Sequence, residues 1–305
     1  MMEIAFNSEH VTACLNNDNM TRRENRVFVI VLLLCMILLL LNFRKKMGVD
    51  TYLKKFSAGL LVHESLSYEQ MKELHITDRK GGNAHQLHFP GGIKAFQKTW
   101  SQFGQDIEID RLLKQKRNGF FIELGGYDGE KLSNTLFFEM ERNWTGLLIE
   151  ANPYLYSNLI QKNRACYTVN CCISADMSNM TFVLADYLTS AAIFMTDAHR
   201  NDIKRLGTKG GGAQYGEKVT VTCHSLQDLL GAIGVWQIDF FSLDVEGAEL
   251  HILKSIDWDK VNVDVFLIET NKSNTIRKNI IEFMKSVNYD HIGKLLIDDI
   301  FRKQK

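Results

Sequence analysis

The sequence predicts an α/β protein, a doubly wound sheet preceded by a single transmembrane helix and a stem. Three observations carry this. Residues 119–128 read GFFIELGGYD, an apolar strand running into a glycine-rich turn. Residues 145–151 form a second apolar run that ends on Glu150. Residues 27–43, VFVIVLLLCMILLLLNF, carry no charge. A strand, a glycine turn, a helical stretch and a second strand closing on a carboxylate are the parts of a nucleotide-binding βαβ unit, and they point to a ligand with a ribose.

The amino-terminal tail, residues 1–26, leads into this apolar run. Fourteen of its seventeen residues are Leu, Ile, Val or Phe, and each favours insertion by about 0.3–0.6 kcal/mol. At 1.5 Å per residue the run spans about 26 Å against a bilayer core of about 30 Å, so Arg26 and Arg44 would snorkel at its ends. A secretory signal peptide competes with this uncleaved anchor, but a long tail precedes the run and no small-x-small cleavage site follows closely. Orientation stays open. Arg44, Lys45, Lys46, Lys54 and Lys55 follow the run and Arg22, Arg23 and Arg26 precede it, a bias that leaves the carboxyl part in the cytosol. The triplets at Asn143, Asn179 and Asn271 are glycosylation acceptors that only a luminal domain could use. Cys166, Cys171, Cys172 and Cys223 fit either two disulfides in an oxidising lumen or buried thiols. In one strand, adjacent Cys171 and Cys172 would face opposite ways.

Residues 44–118 read as a stem, with turn signals at residues 81–83 and 90–92. Residues 68–76 and 93–116 have helical spacing, the second lying against the core as a leading helix. His85 and His88 lack a partner cluster and read as loop histidines rather than metal ligands.

From residue 119 strands and helices alternate as a doubly wound sheet requires. The strand at 119–124 is followed by a helix over 130–142, the strand ending at Glu150, a helix over 153–162 and a strand over 165–173. Residues 181–185 form an extra strand. Residues 186–217 are a polar insert whose KGGG stretch is too glycine-rich for a core element. Residues 218–223, KVTVTC, alternate as a strand, and a helix over 225–233 follows. The buried strand at 238–243 ends in Asp244, Val245, Glu246 and Gly247, and a helix starts at Ala248. A strand at 263–268, a helix over 275–287 and strands at 291–296 and 299–302 complete the domain.

With 305 residues, 45% hydrophobic and 24% charged, the chain can bury one core of roughly 200 residues with an arm left over. Its 36 acidic and 36 basic residues balance, and no basic face or aromatic-interleaved basic run marks a nucleic-acid partner.

The turn after the first strand has a specific chemistry. Gly125, Gly126 and Gly129 have no Cβ, so a ligand can lie against bare backbone. A helix beginning near Gly129 would aim free N–H groups at it. Glu150 can accept from both hydroxyls of a ribose, each charge-assisted bond contributing about 1.5–3 kcal/mol. A glycine-rich turn without a ligand is the bland alternative. The order E-x-G-x-x-x-G over Glu123, Gly125 and Gly129, with Asp128 inside it, differs from the dinucleotide pattern G-x-G-x-x-G. It resembles the first motif of class I methyltransferases, which bind S-adenosylmethionine and have no pyrophosphate to cradle.

Residues 119–302 resemble the FkbM methyltransferase family through FIELGGYDG, LLIEANP at residues 147–153 and FFSLDVEGAELHIL at residues 240–253. The resemblance implies a Rossmann-like class I methyltransferase sheet over residues 119–305 and S-adenosyl-L-methionine as cofactor. It places Glu123, Gly125, Gly126, Asp128, Gly129, Glu150 and Asn152 in cofactor binding, and no His, Cys and carboxylate cluster in the sequence implies a required metal. Tyr127 stands where family members have a small polar residue, and would narrow the groove or stack beside the ligand. Asp244 and Glu246 lie where ligands approach an open α/β sheet. One of them can take the proton of an attacking hydroxyl, or both can cap and orient the helix at Ala248.

The anchored layout also resembles the animal Star proteins. That likeness implies a type II single-pass protein of the endoplasmic reticulum and Golgi, reaching endosome and plasma membrane, which handles membrane-bound growth-factor precursors in vesicle-mediated transport. Two functions follow as expectations: an O-methyltransferase acting on a sugar or other hydroxyl, and a non-catalytic trafficking factor that holds membrane-bound cargo.

Overall fold

The computed structural model describes residues 67–78, 99–207 and 215–305. The expected anchor at 27–43, the turns at 81–83 and 90–92, His85, His88 and the KGGG stretch lie outside them. The chain divides into two units, Met1–Ser65 and Leu66–Lys305, and the described residues all belong to the second. Among the described residues no helix is long and apolar enough to cross a membrane.

An eight-stranded mixed sheet runs in the order β1-β4-β3-β2-β9-β10-β12-β11. Its parallel centre is β4 (Tyr167–Val169), β3 (Thr145–Ile149), β2 (Phe120–Leu124), β9 (Gln237–Leu243) and β10 (Asn262–Glu269). At one edge β1 (Thr77–Asp78) pairs antiparallel with β4, so part of the stretch read as stem is built into the sheet. At the other, β12 (Asp298–Lys303) pairs antiparallel with β10, and β11 (Tyr289–Leu295) with β12. The chain moves outward from β2 through β3 to β4, then returns to β9 on the other side of β2. This reversal opens a crevice at the carboxyl ends of β2 and β9, where open α/β sheets bind ligands.

The central strands are mostly apolar because both faces are covered. Successive residues point to opposite faces, and β9 shows it: Phe240 joins the core under helices α1 (Gln105–Leu112), α2 (Leu136–Arg142) and α3 (Pro153–Gln161). Phe241 joins the core under α5 (Leu226–Ile233), α6 (Glu249–Ser255) and α7 (Asn274–Ser286). Both rings are fully buried, and each such burial stabilises by about 1.5–3 kcal/mol.

Four segments differ from expectation. Of the leading helix expected over 93–116, only Gln105–Leu112 is helical among the described residues. The helix expected over 130–142 begins only at Leu136. Asp128 Oδ1 accepts from the N–H groups of Glu130 and Lys131, and the buried Glu123 carboxylate accepts from Asn134 N, Ser133 Oγ and Thr135 Oγ1. Side-chain acceptors satisfy this stretch in place of helical carbonyls. The strand expected over 165–173 breaks at Asn170, whose Nδ2 donates to the carbonyls of Glu150 and Ala151. Beyond it, β5 (Cys172–Ile173) enters a second sheet, β5-β8-β6-β7, with β6 (Asn179–Val183), β7 (Ser190–Ala191) and β8 (Lys218–His224). The polar insert contains β7 and helix α4 (Asp197–Gly207), and its Met195 and Ile203 pack with Ala185 in a small core of their own.

Cys172 and Cys223, paired in register between β5 and β8, form a disulfide, while Cys166 and Cys171 are buried and belong to no disulfide. Cys171 belongs to the core of the main sheet and Cys172 to that of the small one, so the two neighbours do face apart.

Candidate cofactor and active site

A cavity of about 990 Å³, counting its open mouth, occupies the crevice. Glu123, Gly125, Gly126 and Glu150 line it, as do Asp244 and Glu246. The remaining residues expected to bind cofactor sit behind this wall. Asp128 ties down the turn, and Gly129 packs on Leu159 and offers its carbonyl to Arg164. Asn152 caps α3, its Oδ1 accepting from Tyr154 N and Leu155 N, and its Nδ2 donates to Thr189.

Glu150 closes β3. Its Oε2 accepts from Tyr127 N at 2.8 Å and its Oε1 from Asn152 N at 2.7 Å. Burial pushes its carboxyl up to about 7, against the pull of those N–H groups. Tyr127 adopts a left-handed backbone, φ 48°, which turns its N–H toward Glu150. Its hydroxyl donates to Asp186 Oδ1 at 2.8 Å, so the ring forms part of the rim and the crevice stays open.

Glu123 is organised differently. With its oxygens engaged by residues 133–135, it shapes the loop beyond β2. Arg164 locks this loop from behind: it pairs with Glu139 at 2.7 Å, donates to the Gly129 carbonyl and to Thr135 Oγ1, and lies over the Phe121 ring.

At the other end, Asp244, Glu246 and Glu269 offer carboxylate oxygens within 4.8 Å of one another. Such spacing suits a hard cation, but Lys272 Nζ already lies 2.5 Å from Glu246 and 2.9 Å from Glu269. Burial holds Asp244 well above the usual carboxylate range, reinforced by Glu269 and Glu246. Burial likewise brings Glu246 up to about 7, opposed by Lys272. Burial works against the charge on Lys272, yet Glu269 and Glu246 outweigh it and raise the ammonium. No side chain caps α6, and the turn leading into it is held by Glu249, whose Oε1 accepts from Val245 N and Gly247 N. Asp244 and Glu246 are thereby left facing the cavity.

The sequence reading missed Glu269, Lys272, Asn134 and Ser242. Glu269 carried a signal, since it ends an apolar strand as Glu150 does. Lys272 and Asn134 carried none, because Lys272 was read as part of a connection and Asn134 as one position of the helix expected over 130–142.

A family model described as the methyltransferase FkbM domain matches residues 123–290. No curated protein matches the chain in sequence. Among solved structures, a precorrin-6y C5,15-methyltransferase from Geobacter metallireducens is 11% identical, with TM-score 0.32 over 70% of this chain and 93% of that one. A putative RNA methyltransferase from Pyrococcus horikoshii is 11% identical, with TM-score 0.35 over 74% and 97%. The human methyltransferase 10 domain containing protein is 10% identical, with TM-score 0.34 over 81% and 97%. Likeness at this level says nothing of substrate or partner. The family model covers more than half of the sequence, and the chain belongs to the FkbM methyltransferase family, whose cofactor is S-adenosylmethionine.

Proposed function

We propose that the chain is a membrane-anchored O-methyltransferase of the secretory pathway, transferring the methyl group of S-adenosylmethionine to a hydroxyl of a sugar or similar acceptor. The observation that carries this is one open cavity with Glu150 at one end and Asp244 and Glu246 at the other. The residues fit the cofactor. Each Glu150 oxygen accepts one backbone N–H and keeps a further lone pair for a ribose hydroxyl.

The bound cofactor supplies an activated methyl group on a sulfonium, so the protein's task is alignment. A carboxylate of the Asp244 and Glu246 pair would take the proton of the acceptor hydroxyl as that oxygen receives the methyl group. Glu246, brought up to about 7, is matched to accept a proton at neutral pH.

The Cys172–Cys223 disulfide supports an oxidising compartment, and Asn143, Asn179 and Asn271 are all exposed. Both support a luminal, type II placement behind residues 27–43. The ammonium of Lys272 clasped on Glu246 favours a second reading, a trafficking factor that keeps the fold to hold membrane-bound cargo without chemistry.

Calorimetry of the full chain with S-adenosylmethionine separates the two. Micromolar binding lost in Glu150→Ala supports the enzyme, and silence at millimolar cofactor supports the cargo factor. A shift of the expressed protein on endoglycosidase treatment tests the luminal placement.

A further inference from the structure

We infer that Asn134 reads the amino-acid end of the cofactor, its Oδ1 accepting a hydrogen bond from the α-ammonium group. This rests on the reading that the cavity takes S-adenosylmethionine, and adds to it a residue that selects for the amine. Asn134 stands in the loop beyond β2, its backbone N–H held by Glu123 Oε1 at 2.7 Å. Its Nδ2 donates to Ser242 Oγ at 2.9 Å. Its Oδ1 has no hydrogen-bond partner among the described residues, although the side chain is only 9% exposed. Asn134 and Ser242 both line the cavity. A buried acceptor left unmatched is unfavourable, and native proteins rarely tolerate one without a ligand or water.

The position identifies the donor. Ser242 is on β9 and Glu150 closes β3, with β2 between them. Neighbouring strands lie about 4.8 Å apart, so the two ends of the cavity are separated by roughly 10 Å. A nucleoside whose ribose is held at Glu150 therefore sends its methionyl chain past Gly125 toward Asn134. Glu123 pairs in register with Ser242, and Asp244 follows two residues further along the same strand end, so the carboxyl groups at that end favour an ammonium group over a carboxylate. An amide turned the other way would present donors instead, the arrangement for a carboxylate.

The test titrates the full chain with S-adenosylhomocysteine and with its deaminated homologue, in which hydrogen replaces the amine. The wild type is expected to bind S-adenosylhomocysteine at least about tenfold more tightly, equivalent to about 1.4 kcal/mol. Asn134→Leu should abolish the preference while leaving affinity for the deaminated ligand unchanged. Asn134→Asp should keep it, because Ser242 can rotate its hydroxyl to donate. Equal weakening of both ligands by Asn134→Leu would overturn the role of Asn134 and leave the cofactor reading standing. So would Asn134-dependent discrimination against the decarboxylated analogue alone. Absence of binding by either ligand would overturn the cofactor reading and this inference together.

Discussion

Gly125 and Asp244 meet across the reversal of the sheet: a Cβ on Gly125 would lie 1.9 Å from the Asp244 carbonyl oxygen. Asp244 N also donates to the Leu124 carbonyl at 3.1 Å. The strand ends that frame the crevice are therefore fixed to each other by backbone contact. Gly125 has φ +90°, which side chains rarely adopt. Gly125→Ala is expected to destabilise by about 3 kcal/mol or more, from overlap and strain together. At this size that lowers Tm by about 6–12 °C, and cofactor binding should go with it. A thermal melt with unchanged Tm would show that the strand ends are independent.

Arg164 and Glu139 form a fully buried pair. Arg164→Met leaves the buried Glu139 charge without its cation, held only by the Ala165 N–H, which should destabilise by about 3–5 kcal/mol. The double variant Arg164→Met, Glu139→Leu should recover part of the loss in denaturant titration, since an apolar pair replaces a half-broken ionic one. A double variant as unstable as the single one would place the role of Arg164 in its bonds to Gly129 and Thr135 instead.

Stability should fall as pH rises. Burial raises Glu150, Glu246 and Glu249 each to about 7 from an ordinary 4.5. The folded state therefore holds protons that the unfolded state releases, and the contribution of these groups is complete below about 4.5 and lost through about 7. His199 and His224, lowered by burial, act in the opposite sense. With these three carboxyls, and Glu123, Asp244 and Asp298 raised by burial as well, set against two imidazoles, Tm of the ligand-free protein should drop between pH 5 and pH 8. Glu249→Gln, which removes one of the three, should make that slope shallower.

Cofactor affinity should run the other way. Ionised Glu150 makes two charge-assisted bonds to a ribose, so binding should strengthen as pH rises through about 7. Glu150→Gln keeps an acceptor but loses the charge, and a loss of about 1.5–3 kcal/mol is expected. That is roughly ten- to a hundredfold in Kd. Calorimetry at several pH values checks both, and a pH-independent Kd would remove Glu150 from the ribose.

What was legible in the sequence was the part governed by local pattern. The apolar runs gave β2, β3, β9 and β10 to within a residue or two, because strands buried on both faces tolerate few polar side chains. Glu150 was legible because a carboxylate ending such a strand has little choice of place. The loop after β2 was not. Its residues have acceptable helix spacing, and only the buried Glu123 carboxylate, reaching forward to Ser133 and Thr135, decides against a helix there. The pairing of Cys172 with Cys223 depends on β5 leaving the main sheet at Asn170, a tertiary event without a periodic signature. Lys272 reaches its carboxylates from the connection between β10 and α7, a position that periodicity leaves undefined.

The bridge between Cys172 and Cys223 joins positions 51 residues apart, and the whole small sheet between them hangs from that one covalent knot. A protease that nicks the backbone anywhere inside this span yields two pieces that still travel as one band without reductant. Cleavage there becomes visible only once a thiol is added to the gel sample.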